Sequence, residues 1–163
     1  MTPTTQPQAA RRRGGFSLIE IIAVLILLGI LAVIAASVLP RSNASLATQA
    51  NQLSANLRYA QIRAQADTYQ WRLVFTDATT YQIGQVIVPG AGFKPAVVPG
   101  TSTTQGTLTD GVTAPAGTAI RFDSWGRPLN DAGALLASDQ TITLTQGSLS
   151  ESVVIRANTG FIP

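Results

Sequence analysis

The residues best suited to chemistry lie in one short run, Arg11-Arg12-Arg13-Gly14-Gly15-Phe16-Ser17-Leu18-Ile19-Glu20. Gly15 offers an uncluttered backbone at which a protease could cut, and the cut would give Phe16 a new α-amine. Glu20 places a carboxylate inside an apolar stretch, which costs about 2.5–3.5 kcal/mol in a membrane helix and therefore calls for a partner. The new amine of Phe16 on a neighbouring chain would be such a partner and would set the axial register between two helices. The run predicts processing followed by helix assembly.

Familiar catalytic chemistry is excluded by composition. The chain contains no cysteine and no histidine, so thiolate or imidazole metal sites and Ser-His-Asp or Cys-His catalysis are ruled out. The single lysine, Lys94, lies in a segment rich in glycine and proline, and no base or orienting group accompanies it. We therefore expect no enzymatic activity, no catalytic residue, no cofactor and no metal site.

Scattered polar residues of the second half are predicted to serve turns. Asp123, Asn130, Asp131 and Asp139 lack the spacing of a calcium-binding EF-hand, and turn or cap roles fit them better. Trp125, which precedes Gly126, is expected to be a packed turn aromatic.

Bulk charge does not identify a partner. The formal net charge is +3, but three of the basic residues are Arg11, Arg12 and Arg13. Removal of these three arginines leaves eight basic and eight acidic residues, so the processed chain is formally neutral. Nucleic-acid binding is therefore not favoured by charge.

Two helical segments must position the N-terminal run. Residues 16–39 carry only one charge, Glu20, and as a helix would be long enough to cross a hydrocarbon core of about 30 Å. The arginines of the leader, residues 1–15, would stay cytoplasmic by the positive-inside rule. We predict that this segment spans a membrane once or lies in an equivalent apolar bundle, and that the C-terminal domain is exported.

The second segment, residues 40–67, is predicted to form an amphipathic helix that continues the first, with a bend at Pro40. Polar residues, Asn56 among them, take the opposite face, and Arg63 is placed to pair with Asp67. The apolar stripe, with spacings of three and four residues, consists of Leu46, Ala50, Leu53, Leu57, Ala60 and Ala64.

Residues 68–163 change to short β-rich runs separated by turn residues, which predicts an antiparallel sheet and an α+β fold. Residues 89–118 are rich in glycine, proline and threonine and are predicted to form a long surface loop with a weak hairpin at Asp110-Gly111. The predicted strands are Trp71–Phe75, Tyr81–Val88, Ala119–Phe122, Thr141–Thr145 and Ser152–Arg156.

The stretch from Gly15 to Glu20 resembles the leader junction of type IV pilins and type II secretion pseudopilins, in which a leader ends in Gly and Phe-(Thr/Ser)-Leu-(Ile/Val)-Glu follows. The resemblance implies that prepilin peptidase cuts between Gly15 and Phe16 and that Phe16 becomes N-methylated. It also implies a role for Glu20 in recruiting the subunit into a filament. Other pilin or pseudopilin subunits, prepilin peptidase and an inner-membrane assembly platform would be the partners, and the fold would be a pilin fold.

A second resemblance lies in the β-rich part. Residues 120–128, which include Phe122, Asp123, Gly126 and Pro128, are similar to the Phe-Asp-x-x-Gly-x-Pro turn of H-type minor pseudopilins and FimT-like minor pilins. The terminal residues 153–161 are similar to the closing Thr-Gly strand of the same group. Two features depart from the pattern: Pro40 comes slightly late, and the ending lacks the basic tail linked to DNA uptake in some FimT-like members.

Three other interpretations remain open. An ordinary signal peptide cleaved near Ser37 would release a soluble exported β-domain, and an uncleaved anchor would keep it on the membrane. A DNA-binding competence pilin would need an exposed basic stripe near the C-terminus. The minor pilin or pseudopilin interpretation accounts for Glu20, which neither a signal peptide nor a simple anchor needs.

Overall fold

The computed structural model describes residues 17–38, 42–88 and 92–163. The chain forms two compact units, Met1–Leu39 and Pro40–Pro163. The predicted leader at residues 1–15, the junction between Gly15 and Phe16, and the predicted bend at Pro40 lie outside the described residues.

The first unit contains helix α1, Leu18–Val38, whose sequence is apolar apart from Glu20 in its first turn. The carbonyl of Ser17 opens the helix by accepting hydrogen bonds from the backbone N–H groups of Glu20, at 3.0 Å, and Ile21, at 3.2 Å. Within the described ranges, no helix combines the length and apolarity that a membrane span requires. Membrane insertion of residues 16–39 stays a prediction.

The second unit is organised around helix α2, Ser42–Ala66. Each of the six stripe residues predicted for this helix, from Leu46 to Ala64, has 6% or less of its surface exposed. Asn56 was expected on the polar face, but it is buried and donates a hydrogen bond to the Tyr81 hydroxyl at 2.6 Å. The apolar stripe therefore predicted the core face of α2 correctly, but it did not predict that Asn56 is buried and has its hydrogen-bond partner inside the core.

The larger sheet is antiparallel, with β1 at its centre. Its main strand order is β3-β2-β1-β5-β6, and β4 pairs with β2 beyond the end of β3. Its strands are β1 (Gln70–Phe75), β2 (Thr80–Val88), β3 (Gly92–Ala96), β4 (Gln105–Thr107), β5 (Ala119–Phe122) and β6 (Pro128–Leu129).

The smaller sheet is a hairpin of β7 (Gln140–Gln146) and β8 (Leu149–Ile155). Helix α2 packs against β1, β2 and β5 of the larger sheet and against both strands of the hairpin. One hydrophobic core therefore joins the helix to both sheets, and its largest fully buried side chains include Trp71, Phe75 and Phe122. The result is the α+β arrangement predicted from sequence.

The prediction of one long loop over residues 89–118 is wrong in two places. Strands β3 and β4 both lie in this segment and pair with the free edge of β2. Thr113 then forms a bridge with Thr145 of β7, in place of a local hairpin at Asp110-Gly111. The reason is tertiary: β2 presents an edge long enough to pair two short strands whose own residues have little strand preference.

Candidate functional site

Glu20 is the one predicted assembly residue that the structure describes. It lies in the first turn of α1, among side chains that are exposed in the isolated chain, including Leu18 at 77% and Ile19 at 71%. Gly15, Phe16 and the leader arginines Arg11, Arg12 and Arg13 lie outside the described residues. This end of the chain therefore presents an apolar helix that carries a single carboxylate near its start.

The predicted turn motif forms a closed loop around the side chain of Asp123. Its carboxylate accepts hydrogen bonds from the backbone N–H groups of Trp125, at 3.0 Å, and Arg127, at 2.9 Å. The same carboxylate pairs with the guanidinium of Arg127 at 2.8 Å. Gly126 adopts a φ of 75°, a left-handed conformation that favours glycine. Asp123 and Gly126 thus shape the backbone of the turn.

The turn ends where β5 and β6 pair. Phe122 is fully buried in the core and lies opposite Pro128, the first residue of β6. Proline has no N–H to donate, and its place at the start of a two-residue edge strand requires none.

The C-terminal end of α2 holds this turn against the end of the chain. The side-chain amide of Gln61 donates to the carbonyl oxygens of Gly126, at 2.7 Å, and Gly160, at 3.2 Å. One helical turn earlier, the guanidinium of Arg58 donates to the carbonyl of Ile162 at 2.8 Å. Gln65 donates to the carbonyl of Trp125 at 3.4 Å. The two segments that resemble H-type minor subunits therefore meet on one face of α2, which we call the α2 clasp and which consists of Arg58, Gln61 and Gln65.

Sequence analysis did not identify the α2 clasp. Its members recur at spacings of three and four residues beside the apolar stripe, and this spacing is the signal that could have found them. Long polar side chains in that position can reach backbone carbonyls at the rim of a core, whereas a helix pattern alone assigns them to solvent.

Trp125 differs from its prediction. It was expected to pack within the turn, but 78% of its surface is exposed. The turn is held by Asp123 and by α2, through backbone groups, so no buried aromatic side chain is needed there. Phe161, in the neighbouring C-terminal segment, is likewise 62% exposed.

Two carboxylates connect elements of the second unit. Asp67, just after α2, accepts hydrogen bonds from Trp71 Nε1 at 2.8 Å and from the amide of Gln85 at 3.1 Å. Its predicted ion pair with Arg63 is present at 3.4 Å. The hydrogen bonds from Gln85 and Trp71, helped by the charge of Arg63, lower the pKa of Asp67 below its ordinary value.

Asp139 plays a similar part at the open end of the hairpin. It accepts a hydrogen bond from the backbone N–H of Ala157 at 2.8 Å and pairs with Arg156. These contacts lower the pKa of the Asp139 carboxyl.

Asn130 caps its own turn by accepting a hydrogen bond from the N–H of Ala134 at 2.9 Å. Turn and cap roles thus account for Asp123, Asn130 and Asp139.

Comparison with known families finds one match at the N-terminus. The family model described as the prokaryotic N-terminal methylation motif matches residues 10–36. The match includes the predicted cleavage junction and Glu20. None of the curated proteins matches the chain.

Solved structures show what the fold of the chain is similar to. The type IV minor pilin FimU of Pseudomonas aeruginosa matches with a TM-score of 0.54 and 16% identity, over 74% of this chain and 88% of FimU. The minor pseudopilin EpsH from the type 2 secretion system of Vibrio cholerae matches with a TM-score of 0.53 and 14% identity, over 73% of this chain and 94% of EpsH. The chain therefore combines an N-terminal methylation motif with a fold similar to those of a minor pilin and a minor pseudopilin.

Proposed function

We propose that this chain is a minor pilin or minor pseudopilin, a structural subunit that assembles into, or initiates, a type IV pilus or a type II secretion pseudopilus. The observation that carries the proposal is the occurrence in one chain of the methylation motif, at residues 10–36, and a fold similar to that of the minor pilin FimU. A chain that has both features is expected to be processed at its N-terminus and then to assemble into a filament.

Processing would prepare the subunit. Prepilin peptidase would cut after Gly15 and leave Phe16 as the N-terminal residue, which is then N-methylated. Before assembly, residues 16–39 would hold the protein in the inner membrane, with the β-rich domain in the periplasm. The sequence of α1, whose single charge is Glu20, and the arginines ahead of it support this orientation.

Assembly would use the carboxylate of Glu20. In an apolar bundle of helices, a lone carboxylate is stabilised when a cation reaches it, and the N-terminal amine of Phe16 on a neighbouring subunit would supply that cation. The α2 clasp would act within the β-rich domain, where it fixes the Asp123 turn and the C-terminal segment to α2. The chain itself would perform no reaction.

The DNA-binding alternative gains no support from the arginines near the C-terminus. Arg121 is buried, and Arg127 and Arg156 are paired with Asp123 and Asp139. A basic stripe for a phosphate backbone needs exposed, unpaired cations.

The test is the N-terminal residue and the mass of the full chain, expressed with and without a prepilin peptidase. We expect a peptidase-dependent product that begins at Phe16 and carries one added methyl group. Gly15→Val should abolish this product, whereas the matched control Gly14→Val should retain it. Cleavage near Ser37 that is independent of the peptidase would instead establish an ordinary signal peptide and overturn the proposal.

A further inference from the structure

Two arginines lie side by side on the face of the larger sheet that is turned away from α2. In β1, Trp71 and Leu73 are buried in the core, so Arg72 between them projects from the opposite face. In β5, Ile120 and Phe122 place Arg121 on that same face. Arg72 and Arg121 are directly opposite each other in the register of the two strands, an arrangement in which like charges repel.

A single carboxylate serves both arginines. Asp131 lies 3.0 Å from Nη2 of Arg72 and 3.3 Å from Nη2 of Arg121. All eight acidic residues of the chain fall within its described part, and of these only Asp131 forms an ion pair with either arginine. The cluster of Arg72, Arg121 and Asp131, which we call the outer-face cluster, therefore keeps an excess of one positive charge.

The hydrogen-bonding capacity of the outer-face cluster is also incompletely used. Only 5% of the Arg121 side chain is exposed, yet its Nε and Nη1 atoms have no acceptor among the described residues, and the same holds for Nε of Arg72. Buried guanidinium groups normally satisfy these donors, because an unpaired buried charge is strongly destabilising. The face thus carries more donors and more charge than its own carboxylate can satisfy.

Asp131 is placed to give way to another acceptor. Its side chain is 57% exposed, on the turn that follows β6. Its 3.3 Å contact with Arg121 is longer than the roughly 2.7–2.9 Å of strong charge-assisted hydrogen bonds. Arg72 is held independently, because its guanidinium stacks over the ring of Phe93 at 5.7 Å. Movement of Asp131 would leave both arginines without their carboxylate partner.

We propose that Arg72 and Arg121 form a binding site for an oxyanion, a group whose negative charge is shared by two or more oxygens, and that Asp131 occupies this site in the isolated chain. Guanidinium groups present a planar fork of donors that matches carboxylate and phosphate oxygens. A free inorganic anion or a carboxylate side chain of a second copy of this chain would supply the same chemistry. The site is independent of the proposed function, since it belongs to the folded β-rich domain and involves neither the leader nor α1.

The test is the melting temperature of the full chain in detergent, measured with inorganic phosphate and with chloride at matched ionic strength. When phosphate reaches about ten times its Kd, we expect the melting temperature to rise by about 3–6 °C. Asp131→Asn removes the internal competitor, so this variant should be less stable in chloride and should gain more from phosphate. Arg72→Gln should lose the gain, while Arg156→Gln, which removes the same charge from an exposed ion pair, should keep it.

A second measurement, the concentration dependence of sedimentation without added anion, identifies the source of the oxyanion. Self-association that Arg72→Gln abolishes and phosphate reverses would assign the site to a carboxylate of a second copy. A phosphate-dependent rise in melting temperature without self-association would assign it to a free anion. The proposal is overturned if the wild-type chain and Asp131→Asn show neither a phosphate-dependent rise in melting temperature nor self-association. It is also overturned if Arg72→Gln retains whichever of these effects the wild type shows.

Discussion

At the residue scale, the backbone of the C-terminal segment depends on one glycine. Gly160 has a φ of 67°, and a Cβ built there would lie 2.5 Å from the carbonyl oxygen of Gly126 and 2.5 Å from the Gln61 amide. The left-handed conformation disfavours a side chain, and the carbonyl of the neighbouring turn leaves no space for one. The resemblance to Thr-Gly endings thus has a steric reason in this chain.

We therefore predict that Gly160→Ala lowers the free energy of unfolding by about 2–4 kcal/mol, through backbone strain and overpacking together. The control is Gly147→Ala in the β7–β8 turn, where φ is 60° but a Cβ would meet nothing within 4 Å. That variant should lose only the strain contribution, about 1–2 kcal/mol. Urea unfolding of both variants measures the difference, and equal losses would show that the contact with the Gly126 carbonyl is unimportant.

At the scale of elements, the stripe pattern located the buried face of α2, because a helix that packs on a sheet must repeat its apolar contacts every three or four residues. The same reasoning could not find β3 or β4, since their pairing depends on the free edge of β2 and not on their own composition. Trp125 was mistaken for a packed residue because sequence does not show that Asp123 already holds the turn. Contacts between distant segments, such as the hydrogen bond from Gln61 to the carbonyl of Gly126, could not be predicted from the sequence either.

The junction of α2 with the larger sheet should respond to acid through Asp67, which accepts hydrogen bonds from Trp71 and Gln85. These bonds lower the pKa of Asp67 below 3.8, its ordinary value and that of the unfolded chain. Its ionised form therefore stabilises the fold at pH values above 3.8, and this contribution is lost as the pH falls through the lower pKa of the folded state.

We predict that Asp67→Asn loses less melting temperature than the wild-type chain between neutral pH and about pH 3, because the variant has no proton to gain at this position. The comparison is Glu151→Gln, which removes one carboxylate from an exposed position of β8. Thermal unfolding at the two pH values measures both. An acid-induced loss in Asp67→Asn as large as that of the wild type would contradict the assigned role of this carboxylate.

At the scale of the whole molecule, the chain separates a motif for processing from a folded domain. The methylation motif lies within the first unit, and the hydrophobic core of helix and sheets lies in the second. The motif could be predicted from sequence because its residues are contiguous and the role of each depends only on its neighbours in the chain. The α2 clasp and the outer-face cluster could not, because their residues come together only after distant segments fold against each other. The proposed filament subunit would need both units, because the first would supply the assembly helix and the second supplies the folded domain.

Glu20 provides the test of whether the first unit serves assembly in addition to membrane retention. Glu20→Leu removes a carboxylate that costs about 2.5–3.5 kcal/mol in a membrane helix, so the variant should remain in the membrane and still be cut after Gly15. Its recovery in sheared filaments should nevertheless fall by roughly tenfold or more, because the loss of an ion pair worth 1.4 kcal/mol already shifts an equilibrium tenfold. Glu151→Gln, which removes an acidic side chain from the exposed part of β8, should enter filaments at the wild-type level. Mass spectrometry and immunoblots of the membrane and filament fractions measure both steps, and normal filament entry of processed Glu20→Leu would show that the carboxylate has no part in assembly.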